Sequence, residues 1–355
     1  MRLGTASGLC VGWLLLGSFA GCARTQPQDE VSADAGLDAM GDGALGDGGD
    51  AGPTKVSCPP ALDACEVSDA QLSLAFEPPP TVELLQARNG RFLGTDRASG
   101  EIVIYEIGHT PVAGKLPEVA ESFRLPVSYT RAQLGAEGIL ACGATGCAFV
   151  TRDGALPVPG SLGATAVSGR CVGGNGISCF DATGGLSSLV PAASLPSPVT
   201  AFALLPPEGV ALASSADGKL QLLRSGGTRL PFQAAVTEPL ASLDAIPGWA
   251  ASRTWAGRTR SGFLAVGDEN GGTRCDARAD DVQLLDYSGV PLRFLSGDQL
   301  VFAPLQAAYA YRGCRTLKVP PGTLGHTLAQ CSLGGATVVF DAHHIYATLI
   351  TCPVG

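Results

Sequence analysis

From about residue 70 onward, apolar positions come in short bursts, and each burst ends in a turn signal. Residues 91–100 (RFLGTDRASG) lead into 101–105 (EIVIY), and residues 209–218 (GVALASSADG) lead into 219–223 (KLQLL). The same shape runs from 138–142 (GILAC) through Asp153-Gly154, and from 262–266 (GFLAV) through 284–289 (LLDYSG). Bursts this short, rich in β-branched and aliphatic residues and bounded by glycine and aspartate, are strands rather than helices. The dipeptides Asn89-Gly90, Asn175-Gly176 and Asn270-Gly271 supply the positive φ that tight hairpins demand. Hairpins are therefore the expected building unit, and helices outside the leader should be few and short.

The units start near residues 90, 138, 169, 209, 262, 299 and 327. Their spacing is irregular, roughly 28 to 53 residues, yet within the range of propeller blades, and it predicts an all-β propeller of about seven irregular blades. A tandem β-sandwich is the structural rival. The body, about 70–352, is similar to the loose glycine-aspartate-glycine pattern of bacterial β-propeller proteins. Residues 139–160 also resemble a repeat of the chromosome-condensation-regulator type, without its tryptophan-glycine ending. Neither resemblance singles out a family.

The N-terminus carries a different pattern. Met1-Arg2 is followed by an apolar stretch at residues 9–19 (LCVGWLLLGSF), the length of a signal-peptide core and short for a membrane span. It ends in Phe19-Ala20-Gly21-Cys22, which resembles the bacterial lipobox, although that pattern more often has leucine where Phe19 stands. The resemblance implies a signal peptide over 1–21, a diacylglyceryl thioether on Cys22 and acyl chains, palmitate among them, as the membrane attachment. Ala23 after the cysteine resembles lipoproteins sorted to the outer membrane. An ordinary secretory signal cut near Ala20 or Ala23 is the competing reading.

Residues 22–57 are then a linker, in which Asp29, Asp34, Asp38, Asp42, Asp47 and Asp50 alternate with glycine and alanine and no hydrophobic period survives. Like charges keep such a spacer extended. Gly41-Asp42-Gly43-Ala44-Leu45-Gly46 spells G-x-G-x-x-G, but it lacks the strand before and the helix after that a nucleotide site requires. Residues 58–355 form the all-β, disulfide-containing body.

Twelve cysteines change the picture further. Cys10 leaves with the signal and Cys22 is lipidated, so an even set remains, which in an exported chain predicts disulfides. Spacing pairs Cys142 with Cys147, Cys171 with Cys179 and Cys58 with Cys65. Cys275, Cys314, Cys331 and Cys352 permit three connectivities, of which Cys275–Cys314 with Cys331–Cys352 is preferred here. No C-x2-C pair favours zinc, and no metal or other cofactor is expected.

The net charge of -9 opposes phosphate binding, so nucleic acid is not expected as a partner. No G-x-S-x-G elbow, H-E-x-x-H helix or P-loop occurs, and Asp341-Ala342-His343-His344 is the one local cluster of titratable groups among the four histidines. Trp249, Arg253, Trp255, Arg258 and Arg260 form the most distinctive candidate binding surface, because tryptophan and arginine supply stacking, cation-π contact and bidentate hydrogen bonds. The competing reading buries the tryptophans between blades. Together these features predict a cell-envelope lipoprotein that binds or scaffolds another envelope protein or a glycan. The alternative is an exported hydrolase or lyase with acidic residues in a central pocket.

Overall fold

The computed structural model describes residues 56–108, 112–205, 209–245, 254–284, 292–304, 313–331 and 334–351. Residues 1–55, with the leader, Cys22 and most of the linker, lie outside them, as does Cys352. No helix among the described residues is long and apolar enough to cross a membrane.

The described chain forms seven small sheets, the blades of a β-propeller. Blade 1 spans 82–125, blade 2 129–158, blade 3 166–190, blade 4 199–224, blade 5 240–278, blade 6 281–318 and blade 7 325–347. In each blade the first strand is innermost, and the innermost strands neighbour one another round the axis. Consecutive strands within a blade pair antiparallel, as hairpins do. The expected unit starts near 90, 138, 169 and 209 fall on second strands, those near 262 and 299 on third strands, and that near 327 on the first strand of blade 7. The count of blades holds, while the phase within them slips where a long connection precedes the second hairpin.

Burial explains why these strands read as nearly continuous apolar runs. Each blade is covered on both faces, so successive side chains, which point in opposite directions, enter different cores. In Ile102–Ile107 of blade 1, Ile102 and Ile104 pack against Leu134 and Ile139 of blade 2, while Val103 and Tyr105 pack against Val338 and Phe340 of blade 7. Likewise Phe294 faces blade 5 and Leu295 faces blade 7. Seven apolar slabs result, one between each pair of neighbouring blades.

Turns are capped by aspartate. The Asp181 carboxylate accepts hydrogen bonds from the Thr183 and Gly185 N–H groups at 2.8 Å and from the Thr183 hydroxyl at 2.7 Å, and these bonds hold its pKa below the ordinary value. Asp268 accepts from Asn270 N–H and Asp341 from the His343 and His344 N–H groups in the same way. Asn89 and Gly90 adopt positive φ, 49° and 71°, as the hairpin reading expected. Asn175-Gly176 and Asn270-Gly271 depart from it. Their glycines are needed for close approach instead, since a Cβ on Gly271 would lie 1.9 Å from the Gln233 carbonyl oxygen and one on Gly176 2.7 Å from that of Val190.

The ring closes through the N-terminal lead. Strand β1 (Glu66–Val67) runs parallel to the outer strand of blade 6, and strand β2 (Ser73–Phe76) pairs with Ile345–Ala347 to become the fourth strand of blade 7. This route corrects the disulfide expectation. Cys58 bonds to Cys275 and Cys65 to Cys314, rather than Cys58 to Cys65 and Cys275 to Cys314. Passing along the outer edges of blades 5 and 6, the lead brings each cysteine against a distant partner, and all four lie in the slab between those blades. Cys142–Cys147 and Cys171–Cys179 bridge adjacent hairpin strands as their spacing predicted. The expected bond of Cys331 to Cys352 lies outside the described residues.

The loops closed by Cys58–Cys275 and Cys65–Cys314 span 217 and 249 residues, against 5 and 8 for the hairpin bonds. Chain entropy makes a long loop worth about 5 kcal/mol and a short one about 2–3 kcal/mol. The double replacement Cys65→Ser/Cys314→Ser should therefore lower the thermal midpoint clearly more than Cys142→Ser/Cys147→Ser. Calorimetry of the two variants side by side checks this.

Candidate functional site

The innermost strands end on one face of the ring, where a cavity of about 820 Å³ opens on the axis. Three turns carry guanidinium groups to it. Arg88 and Arg91 flank the Asn89-Gly90 turn of blade 1, Arg152 precedes the Asp153-Gly154 turn of blade 2, and Arg170 follows Gly169 in blade 3. Glu106, Glu137, Asp153 and Asp244 line the same cavity, so its formal charges balance. The opposite wall, from blades 4 to 7, is mostly aliphatic: Ala203, Leu204, Ala245, Leu284, Leu328 and Ala329.

Arg88 and Asp244 are the central pair. Their side chains meet at 2.5 Å, although blades 1 and 5 are not neighbours in the ring, so the ion pair crosses the axis. Asp244 also accepts the Leu284 N–H of blade 6 at 3.1 Å. Gln283 of blade 6 donates to the Ala87 carbonyl of blade 1 at 3.1 Å and to the carbonyl of His326 in blade 7. Gly90 N–H donates to the Thr327 hydroxyl at 2.8 Å. The centre of the propeller is thus filled by a polar network that ties blades 1, 5, 6 and 7 together.

A second contact extends it. The His326 ring is fully buried with Nδ1 2.8 Å from Asp281 Oδ2, and the same oxygen accepts the His326 N–H at 3.0 Å. Burial is the largest influence on Asp281 and pushes its carboxyl up. The His326 ring, the hydrogen bonds from His326 and the Arg88 charge together outweigh it and hold the carboxyl below its ordinary value.

At the rim, Arg152 pairs with Glu106. Arg91 donates to the carbonyls of Gly135 at 2.8 Å and Ala136 at 2.6 Å, and Arg170 to those of Phe180 at 3.3 Å and Asp181 at 2.8 Å. Burial is the main cause that lowers the pKa of Arg91, with Glu106 partly offsetting it.

Among the described residues, the tryptophan-arginine surface expected from the sequence loses Trp255 to the core. Trp255 is wholly buried in the slab between blades 4 and 5, donates its indole N–H to the Asp268 carbonyl at 3.0 Å, and sits over Gly267 and Gly272, where a Cβ would meet its ring at 2.5 and 2.0 Å. It lies on a strand covered on both faces, which removes it from any ligand. Arg258 donates to the Asp280 carbonyl at 2.5 Å, and Arg260 is exposed. Trp249 and Arg253 lie outside the described residues.

The histidine cluster is local. His344 Nδ1 lies 3.0 Å from Asp341 Oδ1, the Tyr346 hydroxyl donates to Asp341 Oδ2 at 3.4 Å, and His343 Nδ1 is 3.4 Å from the Val82 carbonyl. Among the described residues no group of three or more His, Cys, Asp or Glu side chains could hold a metal ion. Sequence reasoning missed the axial mouth, yet a signal existed: arginines stand beside hairpin turns in three successive units, at Arg88-Asn89-Gly90-Arg91, Arg152-Asp153-Gly154 and Gly169-Arg170.

Fold and site define a disulfide-stapled seven-bladed β-propeller with a polar axial mouth. No protein-family model matches the sequence, and no curated protein does. The structure is similar to that of PorZ, a bacterial surface component of the type-IX secretion system of Porphyromonas gingivalis, at 13% identity and a TM-score of 0.45; the match covers 80% of this chain and 39% of that one. It is also similar to the WD40 domain of Neurospora crassa Pan2, at 11% identity and a TM-score of 0.51, covering 82% of this chain and 98% of that domain. The second likeness supports the propeller fold. Four disulfides among the described residues, bonds that persist in oxidising compartments, mark an extracellular or envelope protein.

The lowered pKa of Asp281 sets a pH dependence. A carboxyl that titrates lower folded than unfolded adds stability that is present above the unfolded value near 4 and lost as pH falls toward the folded one. Asp281→Asn should flatten this acid limb, so that urea midpoints at pH 6 and pH 3 differ less in the variant than in wild type. An unchanged difference would show that Asp281 does not drive the acid loss.

Proposed function

We propose that this chain is a lipid-tethered cell-envelope binding module that presents its axial mouth to another envelope protein. The observation that carries the reading is the mouth itself, a large concave site assembled from the turns of separate blades with charged groups on one wall and aliphatic groups on the other. Arginine is among the residues enriched where proteins bind one another, and an apolar patch beside it supplies the area that a partner buries. A glycan would call for aromatic stacking platforms, and the aromatic ring among the lining residues is Phe123.

The hydrolase or lyase alternative gains no support from the same carboxylates. Asp244 and Glu106 are spent on Arg88 and Arg152, and Glu137 and Asp153 stand at the exposed rim. Glycosidic bond hydrolysis typically uses two carboxyl groups facing one bond.

The tether rests on Phe19-Ala20-Gly21-Cys22 and on the acidic spacer, which would hold the propeller off the bilayer within reach of partners. Cells fed a clickable fatty acid should yield labelled wild type and unlabelled Cys22→Ser; equal labelling would remove the anchor. For the mouth, a photoreactive amino acid placed at Asn89 should cross-link an envelope protein in intact cells, whereas the same group at Ser187, on the outer strand of blade 3, should not. Equal adducts at both positions, or none at Asn89, would overturn the mouth as the partner site.

A further inference from the structure

The chemistry of the occupant follows from which charges at the mouth are already answered. Asp244 and Glu106 are neutralised by Arg88 and Arg152. Arg91 and Arg170, both half-buried, make no ion pair among the described residues and spend their donors on neutral carbonyls. A guanidinium has five N–H donors, so each keeps hydrogen-bonding capacity toward the cavity. The carboxylates without an ion partner, Glu137 and Asp153, are exposed to water at the rim, where solvent screens them. The charge imbalance therefore has a direction: the less hydrated unpaired groups are cationic.

The opposing wall adds a second requirement. Leu204, Leu284 and Leu328 come from blades 4, 6 and 7 and line the same cavity. A purely polar anion would leave them wet, and a purely apolar ligand would cover the two guanidinium charges without supplying a counter-charge. The volume, about 820 Å³, is near the upper end for small-molecule pockets and accommodates a short stretch of chain.

We propose that the mouth receives an extended polypeptide segment in which acidic and aliphatic side chains alternate, its carboxylates on Arg91 and Arg170 and its aliphatic groups on Leu204, Leu284 and Leu328. Alternation suits the two walls because an extended chain points successive side chains to opposite sides. This inference rests on the reading of the mouth as the partner site and names the class of segment bound there.

Fluorescence anisotropy with the purified full chain and labelled hexapeptides tests it. A peptide of alternating leucine and glutamate should bind at least about tenfold more tightly than one of leucine and lysine or one of serine and glutamate. Arg91→Gln and Leu328→Ser should each weaken it about fivefold or more. If Arg91→Gln lowers the melting temperature, Arg170→Gln replaces it and should give the same loss. Equal binding of the lysine peptide, absence of binding by the glutamate peptide, or binding insensitive to all three substitutions would overturn the proposal. An adduct from the Asn89 photoprobe beside any of these results would remove the ligand class and leave the mouth in place as the partner site.

Discussion

A small sheet that is apolar on both faces cannot stand alone in water, because only a neighbour on each side removes its two surfaces from solvent. That constraint organises this molecule. Ile102 and Ile104 on one face and Val103 and Tyr105 on the other oblige blade 1 to be flanked twice, and every blade repeats the obligation until the seventh meets the first. Stability is therefore shared round the circle, and the weak point is the place where the circle is joined. There the lead contributes β2 to blade 7 through only a few residues, Ser73 against Ala347, Leu74 against Tyr346 and Phe76 against Ile345. The two long-range disulfides lie just upstream, at Cys58 and Cys65. They fasten the lead to blades 5 and 6 before it reaches blade 7, so the closing strand is held near its place by covalent bonds as well as by its own short ladder.

The axis answers a different physical problem. Seven innermost strands converge on a space whose lining includes backbone groups and polar side chains, and buried polar groups must be paired. Arg88 with Asp244 and Gln283 with the Ala87 carbonyl meet that need while linking blades that are not neighbours in the ring, and His326 lies beside Asp281 between the adjoining blades 6 and 7. The network leaves the cavity to one side of it with an arginine-rich wall and a leucine-rich wall.

Much of the fold was legible. Strands, turn positions and blade number followed from apolar bursts and from Asp-Gly and Asn-Gly punctuation, since these reflect local dihedral preferences and side-chain alternation. Cys142–Cys147 and Cys171–Cys179 were legible for the same reason, being hairpin partners a few residues apart. Trp255 shows where such reading stops. Its neighbours Arg253, Arg258 and Arg260 suggested a surface, but whether a strand residue faces a slab or a ligand depends on the adjoining blade, and Gly272, which makes room for the indole, lies on another strand.

The letters alone determined what depends on neighbours in the chain: an exported, turn-rich, all-β polypeptide with an acidic lead and about seven repeating hairpin units. Tertiary structure decided what depends on partners hundreds of residues apart. Cys58 met Cys275, Cys65 met Cys314, and Arg88 crossed to Asp244 because the ring returns its end to its beginning. No local preference encodes that return. It comes from the requirement that the last exposed apolar face be covered, and it is the return that sets the arginines of blades 1, 2 and 3 around one mouth with Leu284 and Leu328 of blades 6 and 7.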